Sequence, residues 1–122
     1  MTLPRVSAIR RIYNKFYYAF AGLFDGILHD FSIQLQFCFA AFALVVALVF
    51  HFTIIEISIL MVCIGMVLCF EYLSSGVEAR IEHLEPNFAP QAQIAKELGA
   101  ASVGLSALVS LIIGVMFLFN HL

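Results

Sequence analysis

The sequence predicts an all-α membrane protein: an N-terminal amphipathic surface helix followed by three transmembrane helices. Three observations lead there. Of the 122 residues, 63% are hydrophobic and only 11% charged, with a mean hydropathy of +1.04, whereas soluble domains carry about 25% charged residues. Three apolar runs each reach the roughly 20 residues that a helix needs to cross about 30 Å of hydrocarbon. The basic residues gather on one side of those runs. Too little polar surface remains to cover a water-soluble globule. A cytosolic enzyme, a basic nucleic-acid binder and a disordered tail are therefore excluded, and no nucleic-acid partner is expected. Residues 1–122 read as a single integral membrane domain.

Residues 5–30 have the pattern of a helix lying on the membrane. Ile9, Ile12, Phe16, Phe20, Leu23, Phe24 and Ile27 recur at spacings of three and four, which places them on one helical stripe. Arg10, Arg11 and Lys15 would meet anionic headgroups, and Tyr13, Tyr17 and Tyr18 suit an interface. The basic stretch Met1–Lys15 lacks the short apolar core and small-residue cleavage site of a signal peptide. A plain membrane anchor explains this helix as well as any functional reading does.

The three spans are expected at 33–52, 54–73 and 98–120. The first and third carry no charge, and the second has Glu56 near its start and Glu71 near its end. With no water to satisfy backbone groups, helices are the spanning form open to so short a chain. The tight link at His51–Thr53 makes spans one and two an antiparallel hairpin. Arg5, Arg10, Arg11 and Lys15 precede span one, and Arg80 and Lys96 lie between spans two and three. The positive-inside rule then puts the N-terminus and the 71–97 region in the cytoplasm and the C-terminus outside. Cys38, Cys63 and Cys69 lie in apolar runs without CxxC spacing and read as small buried hydrophobes.

Polar chemistry concentrates where span two leaves the lipid. Glu71, Ser74, Ser75, Glu78 and Glu82 are offset by 0, 3, 4, 7 and 11, one face of a helix. Glu71 follows Met66–Phe70 and sits at the hydrocarbon boundary, where an ionisable group is costly and marks a functional site by default. Glu78, about 10 Å further along at 1.5 Å per residue, would lie among headgroups and could hold a hard cation. A solvated helix end accounts for Glu82 and Glu85 but poorly for Glu71. Glu56, beside the hairpin turn, reads as a solvated far end. The loop Leu84–Ile94 holds Pro86, Asn87 and Pro90 and cannot be continuous helix. Beyond it, Lys96 and Glu97 return to the depth of Glu78. Lysine suits phosphate, though a snorkelling end residue is the plainer reading of Lys96 alone. Ser102, Ser106, Ser110 and Gly114 repeat every four residues, a small-residue stripe for close helix packing, for which self-association is expected.

Taken together, a basic surface helix ending in Tyr-x-x-x-Gly, three spans, Glu71-x-x-Ser74-Ser75-Gly76-Val77-Glu78 and Ala95-Lys96-Glu97-x-Gly99 resemble the prokaryotic diacylglycerol kinase and undecaprenol kinase family. The resemblance covers nearly the whole chain. It implies a small integral membrane kinase that phosphorylates a lipid alcohol with ATP and Mg²⁺, works as a homotrimer with sites shared between protomers, and lies in the bacterial inner membrane. Position by position it implies that Glu71 is the catalytic base and that Glu78 and Asp30 are metal-binding carboxylates. Arg11 and Lys96 become phosphate contacts, and Tyr18 and Glu97 nucleotide contacts. The chain departs from the family at Ser74 (asparagine), Gly76 (alanine), Glu97 (aspartate) and Ala89 (histidine). If Phe31 set the register, Leu28 rather than Asp30 would occupy the second carboxylate position. The lipid, diacylglycerol or undecaprenol, stays open. So does a catalytically inactive assembly or scaffold subunit of the same fold; an ion channel through Glu56 and Glu71 lacks a polar face joining them.

Overall fold

The computed structural model describes residues 6–84 and 90–122, and every described element is helical. Arg5, Glu85, Pro86, Asn87 and Ala89, and the side chain of Glu82, lie outside the described residues. Four helices follow in order: α1 (Val6–His29), α2 (Phe31–Val49), α3 (Ile54–Leu84) and α4 (Pro90–Asn120). By length and composition, Phe31–Val49, Ile54–Arg80 and Pro90–Asn120 could each cross a membrane.

One residue separates α1 from α2. Asp30 adopts an extended conformation and caps α2, its Oδ1 accepting from the backbone N–H of Ser32 and Ile33 at 2.9 and 3.3 Å. Aspartate is among the best residues for this position because its carboxylate satisfies N–H groups that have no partner within the helix. The break falls there for that reason.

At the opposite end, α2 closes in a Schellman arrangement. His51 takes a left-handed φ of 59°, and Phe52 N–H reaches back to Ala47 C=O at 2.9 Å. α3 then opens at once through a reciprocal capping box. Thr53 Oγ1 accepts from Glu56 N–H at 3.2 Å, and Glu56 carboxylate Oε1 accepts from Thr53 N–H at 2.9 Å. The Thr-x-x-Glu spacing is the signature of this device.

At 31 residues, α3 is about 46 Å long at 1.5 Å per residue, more than the hydrocarbon needs. Its acidic end therefore projects past the apolar stretch. α4 is equally long and starts at Pro90, earlier than the expected 98. The expectation of a loop through Ile94 is corrected accordingly: proline lacks an N–H that the first helical position would not use, so it can start a helix.

α2 and α4 both pack antiparallel to α3, with the α3–α4 contact the more extensive. Ala47, Phe52 and Leu60 form a buried cluster near the hairpin, joined by Phe117 and Leu118 of α4. Ser102, Ser106, Ser110 and Gly114 are all half-buried. α4 packs chiefly on α3, but a Cβ added at Gly114 would meet no atom within 4 Å, so that position of the stripe faces open space. The hydroxyls of Ser102, Ser106 and Ser110 donate to carbonyls of their own helix, Gly99, Val103 and Ser106, at 2.7–2.9 Å, so no polar group is left bare in an apolar medium.

Candidate functional site

The acidic face of α3 meets the start of α2. Asp30, Ser32, Glu71, Ser74, Ser75, Glu78 and Ala79 line a pocket of about 280 Å³. Glu71 is its innermost carboxylate, only 8% exposed. The polar side chains facing it are Ser32 and Gln36 of α2, and its charged neighbours are Asp30 and Glu78. Three acids and three hydroxyls thus converge where the apolar part of α3 ends.

This donor set is all oxygen, with no histidine or thiol, which suits a hard divalent cation. Among the described residues, no three or more His, Cys, Asp or Glu are gathered closely enough to form a complete metal centre. A cation that keeps waters and takes further oxygens from a substrate phosphate needs only one or two protein carboxylates, and Asp30 and Glu78, which both line the pocket, could supply them. Both capping bonds of Asp30 fall on Oδ1, so the cap does not occupy Oδ2.

The other sequence-nominated residues lie elsewhere. Lys96 and Glu97 are on the second turn of α4, brought alongside by the close approach of Gly99 to α3. A Cβ on Gly99 would lie 3.0 Å from Ser74 Oγ. Lys96 is half-buried and engaged within the chain, and Glu97 is exposed. Arg11 and Tyr18 are exposed on α1 and do not line the pocket. Tyr18 makes an edge-on contact with Tyr17, ring centroids 5.6 Å apart.

Glu56 is not the solvated end that the sequence suggested. It is 8% exposed, and besides closing the capping box its Oε1 meets His121 Nε2 at 2.5 Å. His121 in turn stacks on Phe52, centroids 5.1 Å apart. The Thr53-x-x-Glu56 spacing could have revealed the cap; nothing local could have revealed the histidine. Ser32 and Gln36 were also missed, and their signal was available: a hydroxyl and an amide within an apolar span must find partners. Tyr72 and Gly26 carried no sequence signal.

Residues 17–118 match the family model described as Prokaryotic diacylglycerol kinase. The chain is also similar to the undecaprenol kinase of Bacillus subtilis (strain 168), 25% identical over 114 residues, which are 93% of each protein.

Proposed function

The chain belongs to the prokaryotic diacylglycerol kinase family, a family of membrane-embedded lipid kinases, and from that premise we propose that it transfers the γ-phosphoryl group of ATP to the primary hydroxyl of a membrane lipid alcohol. The observation that carries the reading is the burial of Glu71 among Asp30, Ser32, Ser74, Ser75 and Glu78. A base at the lipid boundary, with a hard-cation donor set beside it, is what a water-soluble phosphate donor and a lipid-soluble acceptor jointly require.

In this mechanism Glu71 accepts the proton of the lipid hydroxyl as the oxygen bonds to the γ-phosphorus. The bond from the γ-phosphorus to the β,γ-bridging oxygen breaks in line, and ADP leaves. Glu78 and Asp30 would hold Mg²⁺, which when bound would supply neutralisation of phosphate charge. Lys96 and Arg11 offset the remaining charge, and Tyr18 and Glu97 contact the nucleotide. Phosphoryl transfer asks mainly for positioning and electrostatic stabilisation, which a small helical bundle can provide.

Arg11 and Tyr18 are exposed and do not line the pocket, which suits a site assembled between copies, so a homotrimer with shared sites belongs to the same proposal. Large apolar side chains left exposed along α2 and α4, among them Phe39, Phe42, Leu105, Leu108 and Phe119, are free to meet lipid or another copy. α1 lies on the cytoplasmic surface, its exposed Ile9, Ile12, Phe16 and Phe20 in the acyl boundary and its basic residues toward headgroups. The C-terminus is then outside, in the bacterial inner membrane.

Transfer of label from ATP in mixed micelles with Mg²⁺ tests the reading, with undecaprenol and diacylglycerol offered in parallel. Undecaprenol is the first choice because a full-length relative bears that substrate's name. Labelled lipid that disappears in Glu71→Gln supports the kinase and chooses its substrate. No product from either lipid, with the protein folded and oligomeric, would leave a non-catalytic scaffold as the better account.

A further inference from the structure

Asp30 reaches the pocket from the junction of α1 and α2, whereas Glu71 and Glu78 come from α3. The junction is a single non-helical residue, and α1 has only slight contact with α2. Its cap ties Asp30 to α2, which packs on α3, and a second tie runs directly from α3 to the α1 side of the junction.

Tyr72 directly follows Glu71 and, 100° further round α3, faces α1. Its hydroxyl donates to the Leu23 carbonyl at 2.8 Å. Its ring lies where a side chain at Gly26 would be: a Cβ there would overlap Cε1 and lie 2.9 Å from both Cζ and Ile33 Cδ1. The Gly26 carbonyl in turn accepts the N–H of Asp30 at 3.0 Å. The contacts thus run from the residue beside the candidate base, through one glycine, to the backbone of the candidate metal carboxylate. The Gln34 side chain adds a tie from α2, its amide donating to Ile27 C=O at 2.8 Å. Glycine inside a helix is unfavourable by about 1 kcal/mol relative to alanine. The tyrosine ring supplies a reason for keeping it.

We propose that Tyr72, seated on Gly26 and hydrogen-bonded to Leu23, is a positioning residue that sets Asp30 against Glu71 and Glu78 for phosphoryl transfer. The proposal rests on the lipid-kinase reading for its catalytic consequence, but not for the contact itself.

The test compares wild type, Gly26→Ala, Tyr72→Phe, Tyr72→Leu and Gly26→Ala/Tyr72→Leu in mixed micelles, measuring kcat, the lipid KM and the Mg²⁺ concentration for half-maximal rate. Gly26→Ala and Tyr72→Leu should each lower kcat by roughly tenfold or more, the scale produced by sub-ångström to ångström misplacement of reacting groups. Both should raise the Mg²⁺ requirement and leave the lipid KM unchanged. A protein that is merely less stable loses active fraction without moving the Mg²⁺ midpoint. Tyr72→Phe keeps the ring and should retain most activity. The double variant should be no worse than Tyr72→Leu alone, because the added methyl then meets only Ile33 Cδ1, the far end of a flexible side chain that can turn aside.

Wild-type kcat and Mg²⁺ dependence in Gly26→Ala would overturn the proposal, as would a full second loss on adding Gly26→Ala to Tyr72→Leu. Should Gly26→Ala fail to fold, a wild-type Mg²⁺ midpoint in Tyr72→Leu overturns it equally. If wild type transfers no phosphate to either lipid, the kinase reading falls on its own. Amide hydrogen exchange then judges the lock: faster exchange across residues 20–29 in Tyr72→Leu supports it, and unchanged exchange removes it.

Discussion

Glu56 and Glu71 stand on the same helix and are equally buried, each 8% exposed, yet their surroundings are opposite in kind. Glu56 at the hairpin end is surrounded by donors. One of its oxygens takes the Thr53 N–H and His121, and an aromatic ring covers the histidine. Glu71 at the other end is surrounded by acids and hydroxyls and borders a pocket. Burial alone therefore does not distinguish a structural carboxylate from a candidate catalytic one. The charge of the neighbouring groups differs: Glu56 meets a backbone N–H and a histidine, whereas Glu71 has Ser32 and Gln36 together with two further carboxylates, Asp30 and Glu78.

The sharpest way to break this comparison is to neutralise each acid in turn. Glu71→Gln should reduce phosphate transfer by at least about 10²-fold, the lower end of what a general base contributes, while the protein stays folded and still binds ATP. Turnover within a few-fold of wild type would remove Glu71 from the mechanism. Glu78→Gln should lose less, and part of the loss should return as Mg²⁺ is raised; a loss indifferent to Mg²⁺ would argue against a metal role.

The contrasting end should respond in stability rather than chemistry. Glu56→Ala strips the capping box and leaves His121 without its partner, so unfolding in detergent should become easier by about 1–3 kcal/mol. Activity per folded molecule should be unchanged. A fall in activity without a fall in stability would contradict the division drawn here. The smallest effect belongs to the stripe on α4. Ser106→Ala removes a hydroxyl that bonds only its own helix and changes little volume, so stability should move by no more than about 0.5 kcal/mol.

Composition and periodicity alone determined the membrane class, the helical form, the three spans, the one-sided distribution of basic residues and the acidic face of α3. These follow from local rules, since spans are set by run length and faces by the 3.6-residue period. The residues that resembled a lipid kinase also lie in short motifs, so the family was readable without the fold. Element boundaries were less so, because Asp30 as a cap and Pro90 as a helix start depend on which backbone groups need partners.

Only the tertiary structure decided the rest. It turned Glu56 from a solvated end into the anchor of His121, 65 positions away. It also seated Tyr72 on α1, bonding Leu23 across 49 positions. The reason is the same in each case. Which of a helix's faces meets a partner depends on how three helices cross, and no run of neighbouring residues encodes that crossing by itself.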